Sequence, residues 1–291
     1  TPAGHSRVKP LRVVTVGHVT NDALADAVHP GGAALYAGLA AQVLGAEVTL
    51  LTRAGPDFVG SHLLGLLHAA QVQPAPRTTA FDERYTGAGR SVRLLYQAAP
   101  VDAAVPPADV VLLCPVADEV PSSALALRPT RLLAAGLQGW LRAFGKDGAV
   151  AARSLPDARA FSGCGLVSCS EEDLAGLGPR TLSALRATVP LVAVTDGASG
   201  ARLYQGQKGW HIPPLSVAAQ DPTGAGDVFL AVLALYLARG TPPFEAAGWA
   251  SCAAALTTTR AGPGALTALK GLQEAWNSYR RQTPPPRSLD A

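Results

Sequence analysis

The stretch Asp221-Pro222-Thr223-Gly224-Ala225-Gly226-Asp227-Val228-Phe229 decides how this chain is read. Just upstream, Ala201 to Tyr204 and Gly209 to Ile212 flank a glycine-containing loop and read as a hairpin. Downstream, Val228 to Ala238 is almost wholly apolar and reads as a helix. A small-residue loop running into a helix presents several backbone N–H groups at the positive end of the helix dipole. That makes an anion site, most often for phosphate. Glycines at 224 and 226 let the backbone approach the anion with no Cβ in the way. Asp227 falls in the first helical turn, beside that site. A carboxylate repels a bound phosphate, so it is an odd choice for binding alone. It makes sense if Asp227 takes a proton from an attacking hydroxyl. The alternative is that Asp227 only caps the helix.

Working outward, the rest of the chain alternates strand and helix. Leu11 to Gly17 reads as a buried strand ending at a glycine, followed by a polar stretch through Pro30. Gly32 to Leu44 suits a helix packed on a sheet. Glu47 to Thr52 reads as the next strand, and Phe58 to Ala70 has helical spacing of its leucines. This β-α-β-α rhythm predicts a parallel sheet covered by helices. Between Thr78 and Ala99 the pattern changes to short antiparallel strands around a Tyr-Thr-Gly-Ala-Gly turn, which reads as a small inserted sheet. Buried strands then recur at Asp109 to Leu113, Arg131 to Ala135, Gly165 to Cys169 and Leu191 to Thr195. Two or three helices run from Gly226 to about Tyr279, and residues 282–291, with three successive prolines, read as a loose tail.

Composition and missing motifs exclude several classes. The 30 glycines and 24 prolines of 291 residues are about 19% of the chain, below the roughly 25–30% of low-complexity sequence. With 48% hydrophobic residues it can bury a core. A net charge of +3, scattered along the chain, argues against nucleic-acid or membrane partners. No apolar run reaches the length of a transmembrane helix. The four cysteines form no CxxC pair and no zinc spacing, and read as reduced thiols of a cytoplasmic protein. Neither GxxxxGK[ST] nor a strand-borne GxGxxG occurs, so neither a Walker A loop nor a dinucleotide fingerprint is present.

The DPTGAGDVF stretch resembles the C-terminal signature of the PfkB/ribokinase family of carbohydrate kinases. The similarity extends over nearly the whole chain. Gly17 to Asp22 resembles the family's opening strand-and-Asp segment, and Gly31 to Ala37 its diglycine helix start. Leu44-Gly45 to Phe58 resembles its next strand and turn, and Thr195 to Ala201 its nucleotide-side Thr-x-Gly-x-x-Gly turn. The resemblance implies an α/β fold, a ribokinase-like three-layer sandwich with a mostly parallel central sheet and a small β-sheet lid. It implies a single domain over 1–291, with the lid formed by segments near 18–30 and 77–99. It implies transfer of the γ-phosphoryl of ATP to a hydroxyl of a sugar or polyol, with Mg²⁺ offsetting the phosphate charge. A monovalent cation is a further candidate cofactor, and a homodimer joined through the lid a candidate assembly. By matching position, Asp227 is the base, and the N–H groups of Gly224, Ala225 and Gly226 form the anion hole. Thr223 and Asp221 shape that loop. Thr195, Gly197, Gly200 and Thr223 line the nucleotide side, while Asp22, Gly31 and Gly32 face the acceptor.

The chain also departs from the family's pattern. Where the family often carries Asn-x-x-Glu, tied to Mg²⁺ and phosphate handling, this chain has Ser168-Cys169-Ser170-Glu171. Glu171 is the indirect metal candidate there, and Ser170 with Asp173 also reads as a capping-box variant. Tyr36 replaces an asparagine that usually contacts the sugar; it either stacks on a ligand ring or packs under the lid. Arg142, in Gln138-Gly139-Trp140-Leu141-Arg142, is placed to hold a phosphate or acidic group, or is a surface arginine at a helix start. In the lid, Thr78, Thr79, Phe81 and Arg90 are candidates for touching the acceptor. The GH-x-x-x-D, TT-x-F and QG-x-x-R features together look more like the myo-inositol-kinase-type branch than ribokinase itself. A nucleoside kinase of the same fold, and a kinase-like binding protein without turnover, are the competing expectations.

Overall fold

A computed structural model describes residues 9–24, 27–86, 89–102, 104–155, 157–175, 177–283 and 289; the side chains of residues 85, 86, 89, 90 and 179 are outside the description. The strands, in chain order, are β1 (Arg12–Val16), β2 (Thr20–Leu24), β3 (Ala27–Gly31), β4 (Glu47–Ala54), β5 (Ala69–Pro74), β6 (Thr79–Thr86), β7 (Gly89–Tyr96), β8 (Val110–Leu113), β9 (Leu132–Gly136), β10 (Arg142–Phe144), β11 (Val150–Ala152), β12 (Leu166–Ser170), β13 (Leu191–Thr195), β14 (Ala201–Gln205) and β15 (Lys208–Ile212). The α-helices are α1 (Ala33–Val43), α2 (Ser61–Leu64), α3 (Glu171–Ala175), α4 (Pro179–Thr188), α5 (Ala225–Ala238), α6 (Pro243–Thr257) and α7 (Leu272–Gln282).

Nine of these strands form one sheet, in the order β15-β14-β13-β12-β9-β8-β1-β4-β5. Strands β13 through β5 in that order pair parallel, and the β14–β15 hairpin closes one edge antiparallel. The apolar runs explain why. In β8, Val110 and Leu112 face one core, while Val111 and Leu113 face the other. A strand that is apolar on both faces needs cover on both. Helices α1, α5 and α6 supply it on one side, and α4 with several 3₁₀ turns on the other. From β1 the chain winds outward to β4 and β5, then returns to β8 on the opposite flank of β1. In open α/β sheets the crevice at such a reversal, at the carboxyl ends of the strands, is where ligands bind.

A separate four-stranded sheet, β3-β2-β6-β7, forms the lid. The polar stretch before Pro30 is therefore a pair of strands, with Pro30 on the sheet's edge, where its missing N–H breaks no ladder. The Tyr-Thr-Gly-Ala-Gly turn includes residues 87–88, outside the described residues. Two expectations change. The helix read over Phe58 to Ala70 shrinks to the single turn α2, because i→i−3 bonds (Leu66 to Leu63, Leu67 to Leu64) replace helical ones. The chain then runs as β5 along the free edge of β4, where parallel pairing satisfies its backbone. The segment from Gln138 is one 3₁₀ turn followed by the β10–β11 hairpin, so Arg142 begins a strand rather than a helix. Most of the 282–291 tail lies outside the described residues. No described helix is long and apolar enough to cross a membrane.

Candidate active site

The 220–227 loop is tied down by backbone-directed bonds. The N–H groups of Gln220 and Asp221 donate to the Thr258 carbonyl at 2.7 and 3.0 Å, at the end of α6. The Asp221 carboxylate accepts from the N–H of Thr223 at 2.9 Å and of Gly262 at 3.1 Å. Asp221 and Thr223 thus do shape the loop. Gly224 is left-handed (φ 78°) and starts α5 with no side-chain cap. A Cβ there would overlap the Tyr36 ring, so both the backbone and the space require glycine. The Ala225 N–H donates to the Pro222 carbonyl at 3.1 Å, closing the turn. Gly226 sits in the first helical turn, where N–H groups have no intrahelical acceptor, and a Cβ on it would meet nothing within 4 Å. Asp227, half-buried, occupies the same turn.

The residues expected on the acceptor side meet this loop through Tyr36. It lies one turn into α1, is 4% exposed, and backs its ring onto Gly224. Burial pushes its phenol pKa up, and the charges of Asp221, Asp22, Asp227 and Glu83 push it further. Asp22 on β2 and Glu83 on β6 come from the lid, Asp221 and Asp227 from the loop. Gly31 lies against the Asp22 carboxylate, and Gly32 (φ 107°) against the His18 carbonyl. Both glycines therefore permit close packing of the chain on itself.

The other candidates lie further along the strand ends. Thr195 ends β13, and its hydroxyl donates to the Cys169 carbonyl at 3.4 Å. Gly197 and Gly200 shape the turn that follows, closed by the Asp196 N–H on the Gly200 carbonyl at 2.8 Å. Glu171 pairs with Arg202 of β14. Ser170 and Asp173 exchange bonds at the start of α3, with the Asp173 N–H on Ser170 Oγ and the Ser170 N–H on Asp173 Oδ2, both at 3.0 Å; the capping-box expectation holds. Arg142 lines a cleft of about 720 Å³ between the lid, the β10–β11 hairpin and α3, together with Arg84, Arg93, Asp147, Ser170 and Asp173.

The lid residues Thr78, Thr79 and Phe81 tie the lid to the rest of the chain. Thr78 is 1% exposed; its N–H and hydroxyl both donate to Asp57 Oδ1 at 2.8 Å. Burial pushes the Asp57 carboxyl up, but these bonds outweigh it and leave its pKa below the usual value. Thr79 Oγ1 lies 2.8 Å from His18 Nδ1, and His18 Nε2 lies 3.0 Å from the Ala99 carbonyl. Phe81 is 4% exposed and tilts against Phe144 of β10. The Arg90 side chain lies outside the described residues. Sequence reasoning missed Glu119, which is fully buried and accepts the N–H groups of His18, Val116 and Ala117 at 2.8, 3.0 and 2.7 Å. It locks the β1 and β8 ends together at the crevice. A lone acidic residue in a loop carries no local signal of that duty.

Residues 148–269 match the family model described as pfkB family carbohydrate kinase, a span that holds the 220–227 loop and the α5 start. Over that span, 122 of the 291 residues, the chain resembles the pfkB family. Among curated proteins, this chain is 30% identical to inositol 3-kinase of Oryza sativa subsp. japonica over 243 residues, 75% of this chain and 59% of that one. It is 36% identical to inositol 3-kinase of Zea mays over 124 residues, 42% of this chain and 32% of that one. The chain thus spans less than two thirds of either relative. Among solved structures, a pyrophosphate-dependent kinase in the ribokinase family, complexed with a pyrophosphate analog and myo-inositol, superposes with a TM-score of 0.79 at 19% identity, covering 89% of this chain and 99% of that one. Ribokinase of Thermotoga maritima superposes at 0.69 and 18% identity, covering 94% and 100%. The fold is thus ribokinase-like, with the mostly parallel sheet and small lid expected of it.

Proposed function

We propose that this chain is a kinase that transfers the γ-phosphoryl group of ATP to a hydroxyl of a sugar or polyol. The inositol 3-kinase relatives favour an inositol-like polyol as acceptor. One observation carries the reading: Asp227 stands in the first turn of a helix whose N-terminus is open above Gly226. The acceptor hydroxyl gives its proton to Asp227 and its oxygen attacks the γ-phosphorus in line. The N–H groups of Gly224 and Gly226, with the α5 dipole, hold the charge that develops on the transferred group. The Ala225 N–H joins them if the turn bond to Pro222 opens. Thr195, Gly197, Gly200 and Thr223 serve the nucleotide side, and Asp22 and Arg142 the acceptor side. The lid excludes water during transfer.

Mg²⁺ neutralises phosphate charge in such reactions. Among the described residues no three His, Cys, Asp or Glu side chains gather where they would hold a metal ion, and Glu171 is engaged by Arg202. The fitting arrangement is an ion carried mainly by the phosphates and water, as Mg²⁺ commonly is.

The test is a phosphoryl-transfer assay over neutral polyols, pentoses and nucleosides, with Asp227→Asn beside the wild type. Transfer to myo-inositol or a sugar is expected, and the variant is expected to lose it. A variant with wild-type turnover removes Asp227 as the base. Transfer to nucleosides alone moves the acceptor class. Substituting pyrophosphate for ATP in the same assay identifies the donor.

A further inference from the structure

The chain crosses between the main sheet and the lid four times, and His18 stands at every crossing. It lies in the first, between the end of β1 at Val16 and the start of β2 at Thr20. Its carbonyl lies against Gly32, where the chain leaves β3 for α1. Its Nδ1 lies 2.8 Å from the hydroxyl of Thr79, the first residue of β6. Its Nε2 lies 3.0 Å from the carbonyl of Ala99, just past the end of β7 at Tyr96. Its own N–H donates at 2.8 Å to Glu119, in the segment between β8 and β9. His18, Thr79 and Glu119 are all fully buried. Burial lowers the pKa of the ring and keeps it neutral. The Ala99 carbonyl only accepts, so the ring proton sits on Nε2 and Nδ1 accepts from the Thr79 hydroxyl. Thr79 Oγ1 in turn accepts the Ala98 N–H at 3.0 Å. With both ring nitrogens used, the side chain has nothing left to offer a ligand. It ties the start of β6 to the exit from β7, and both to the end of β1. Strands β2 and β6 run parallel from this point, with Thr20 level with Thr79. The direction of the lid is therefore set where His18 holds it.

We propose that His18 is a positioning residue: its imidazole seats the lid on the main sheet, and so decides whether the acceptor or water meets the phosphoryl donor. This rests on the kinase reading and adds the residue that keeps transfer from becoming hydrolysis. A lid released from His18 leaves the donor open to water. Water then takes the place of the acceptor hydroxyl, gives a proton to Asp227 and carries the phosphoryl group away as inorganic phosphate. His18 itself gains and loses no bond or proton in either course.

The experiment uses the full chain as wild type, His18→Phe, Thr79→Val and Thr79→Ser. His18→Phe fills the space and removes both ring bonds, and Thr79→Val removes one of them. The first readout is donor hydrolysed per acceptor phosphorylated, with myo-inositol or D-ribose and whichever of ATP and pyrophosphate the wild type uses. The second is amide hydrogen exchange in β6 and β7 against β8. Hydrolysis relative to transfer is expected to rise about 5-fold in Thr79→Val and about 25-fold in His18→Phe, for one and two lost hydrogen bonds. Thr79→Ser restores the hydroxyl and is expected to recover most of the coupling. The acceptor KM rises with the ratio, while the donor KM stays within about twofold. Exchange quickens in β6 and β7 and not in β8. A ratio within twofold of wild type in both His18→Phe and Thr79→Val overturns the proposal. So does exchange that quickens equally in lid and sheet, the mark of general destabilisation. If His18→Phe does not fold, Thr79→Val against Thr79→Ser decides alone. A wild type that transfers to no acceptor overturns the kinase reading, and the exchange comparison then decides by itself whether His18 seats the lid.

Discussion

Two helices, α1 and α5, begin the same way and end up doing different things. Each starts at a glycine of positive φ, 107° at Gly32 and 78° at Gly224, and neither has a side-chain cap. The start of α1 is filled by the chain itself: a Cβ at Gly32 would overlap the His18 carbonyl, and no acidic residue stands in its first turn. The start of α5 is open. Gly226 faces empty space, and Asp227 stands beside it. A glycine-rich loop before an apolar helix therefore marks either close packing or a ligand site. What separates them is whether another part of the backbone already occupies the helix end.

The largest expected effect breaks the comparison at Asp227. Asp227→Asn should lower kcat about 10³-fold, the scale of a lost general base. Its unfolding midpoint should barely move. A side chain that only capped α5 would show the reverse, with about 1 kcal/mol of stability lost and turnover retained. Next come Gly224→Ala and Gly32→Ala. Each forces a Cβ into occupied space at positive φ, and urea unfolding should show a loss of about 2–4 kcal/mol for both. Only Gly224→Ala should also cost transfer in the molecules that remain folded. A smaller effect belongs to His18, whose carbonyl lies against Gly32 at the start of α1. Burial lowers the His18 pKa, Arg53 lowers it further, and Glu119 and the Ala99 carbonyl only partly oppose this. The unfolded chain then binds the proton more readily than the folded one. The stability contribution of His18 is full above about pH 6.5 and falls as pH drops toward its depressed pKa, by at most about 1.4 kcal/mol per pH unit. A His18→Asn variant should lose that slope in unfolding measured from pH 7.5 to 5. The smallest stability change is expected at Gly226→Ala. With open space around it, the added methyl should leave stability level or raise it by about 0.5 kcal/mol. It should still slow transfer by entering the room an anion needs.

How much was legible follows the range of the interactions. The loop and both helix starts could be read because they depend on neighbouring residues: glycine conformations, a helix dipole, a carboxylate three positions past the cap. The buried strands could be read from runs such as Val110 to Leu113 because both faces of that sheet are covered. The edge strand β5 could not, since its Ala-Ala-Gln-Val-Gln-Pro becomes a strand only by pairing with β4. The contacts that tie the lid to the sheet were equally hidden. His18 meets Thr79 across 61 residues and Glu119 across 101, and neither spacing leaves a pattern along the chain. Thr78, Thr79 and Phe81 could be placed in the lid from the sequence, but their partners Asp57, His18 and Phe144 could not.

By itself, then, the sequence determined the alternation of strands and helices, the family resemblance, and the chemistry offered at Asp221 to Asp227. Each of these is encoded by residues close in the chain, where backbone conformation and side-chain type act directly. Only the tertiary structure decided which of the two glycine-started helices keeps an open end. Only it set the Tyr36 ring against Gly224, 188 residues further along the chain. That contact depends on how α1 packs against the start of α5, and packing between such distant stretches has no local signature.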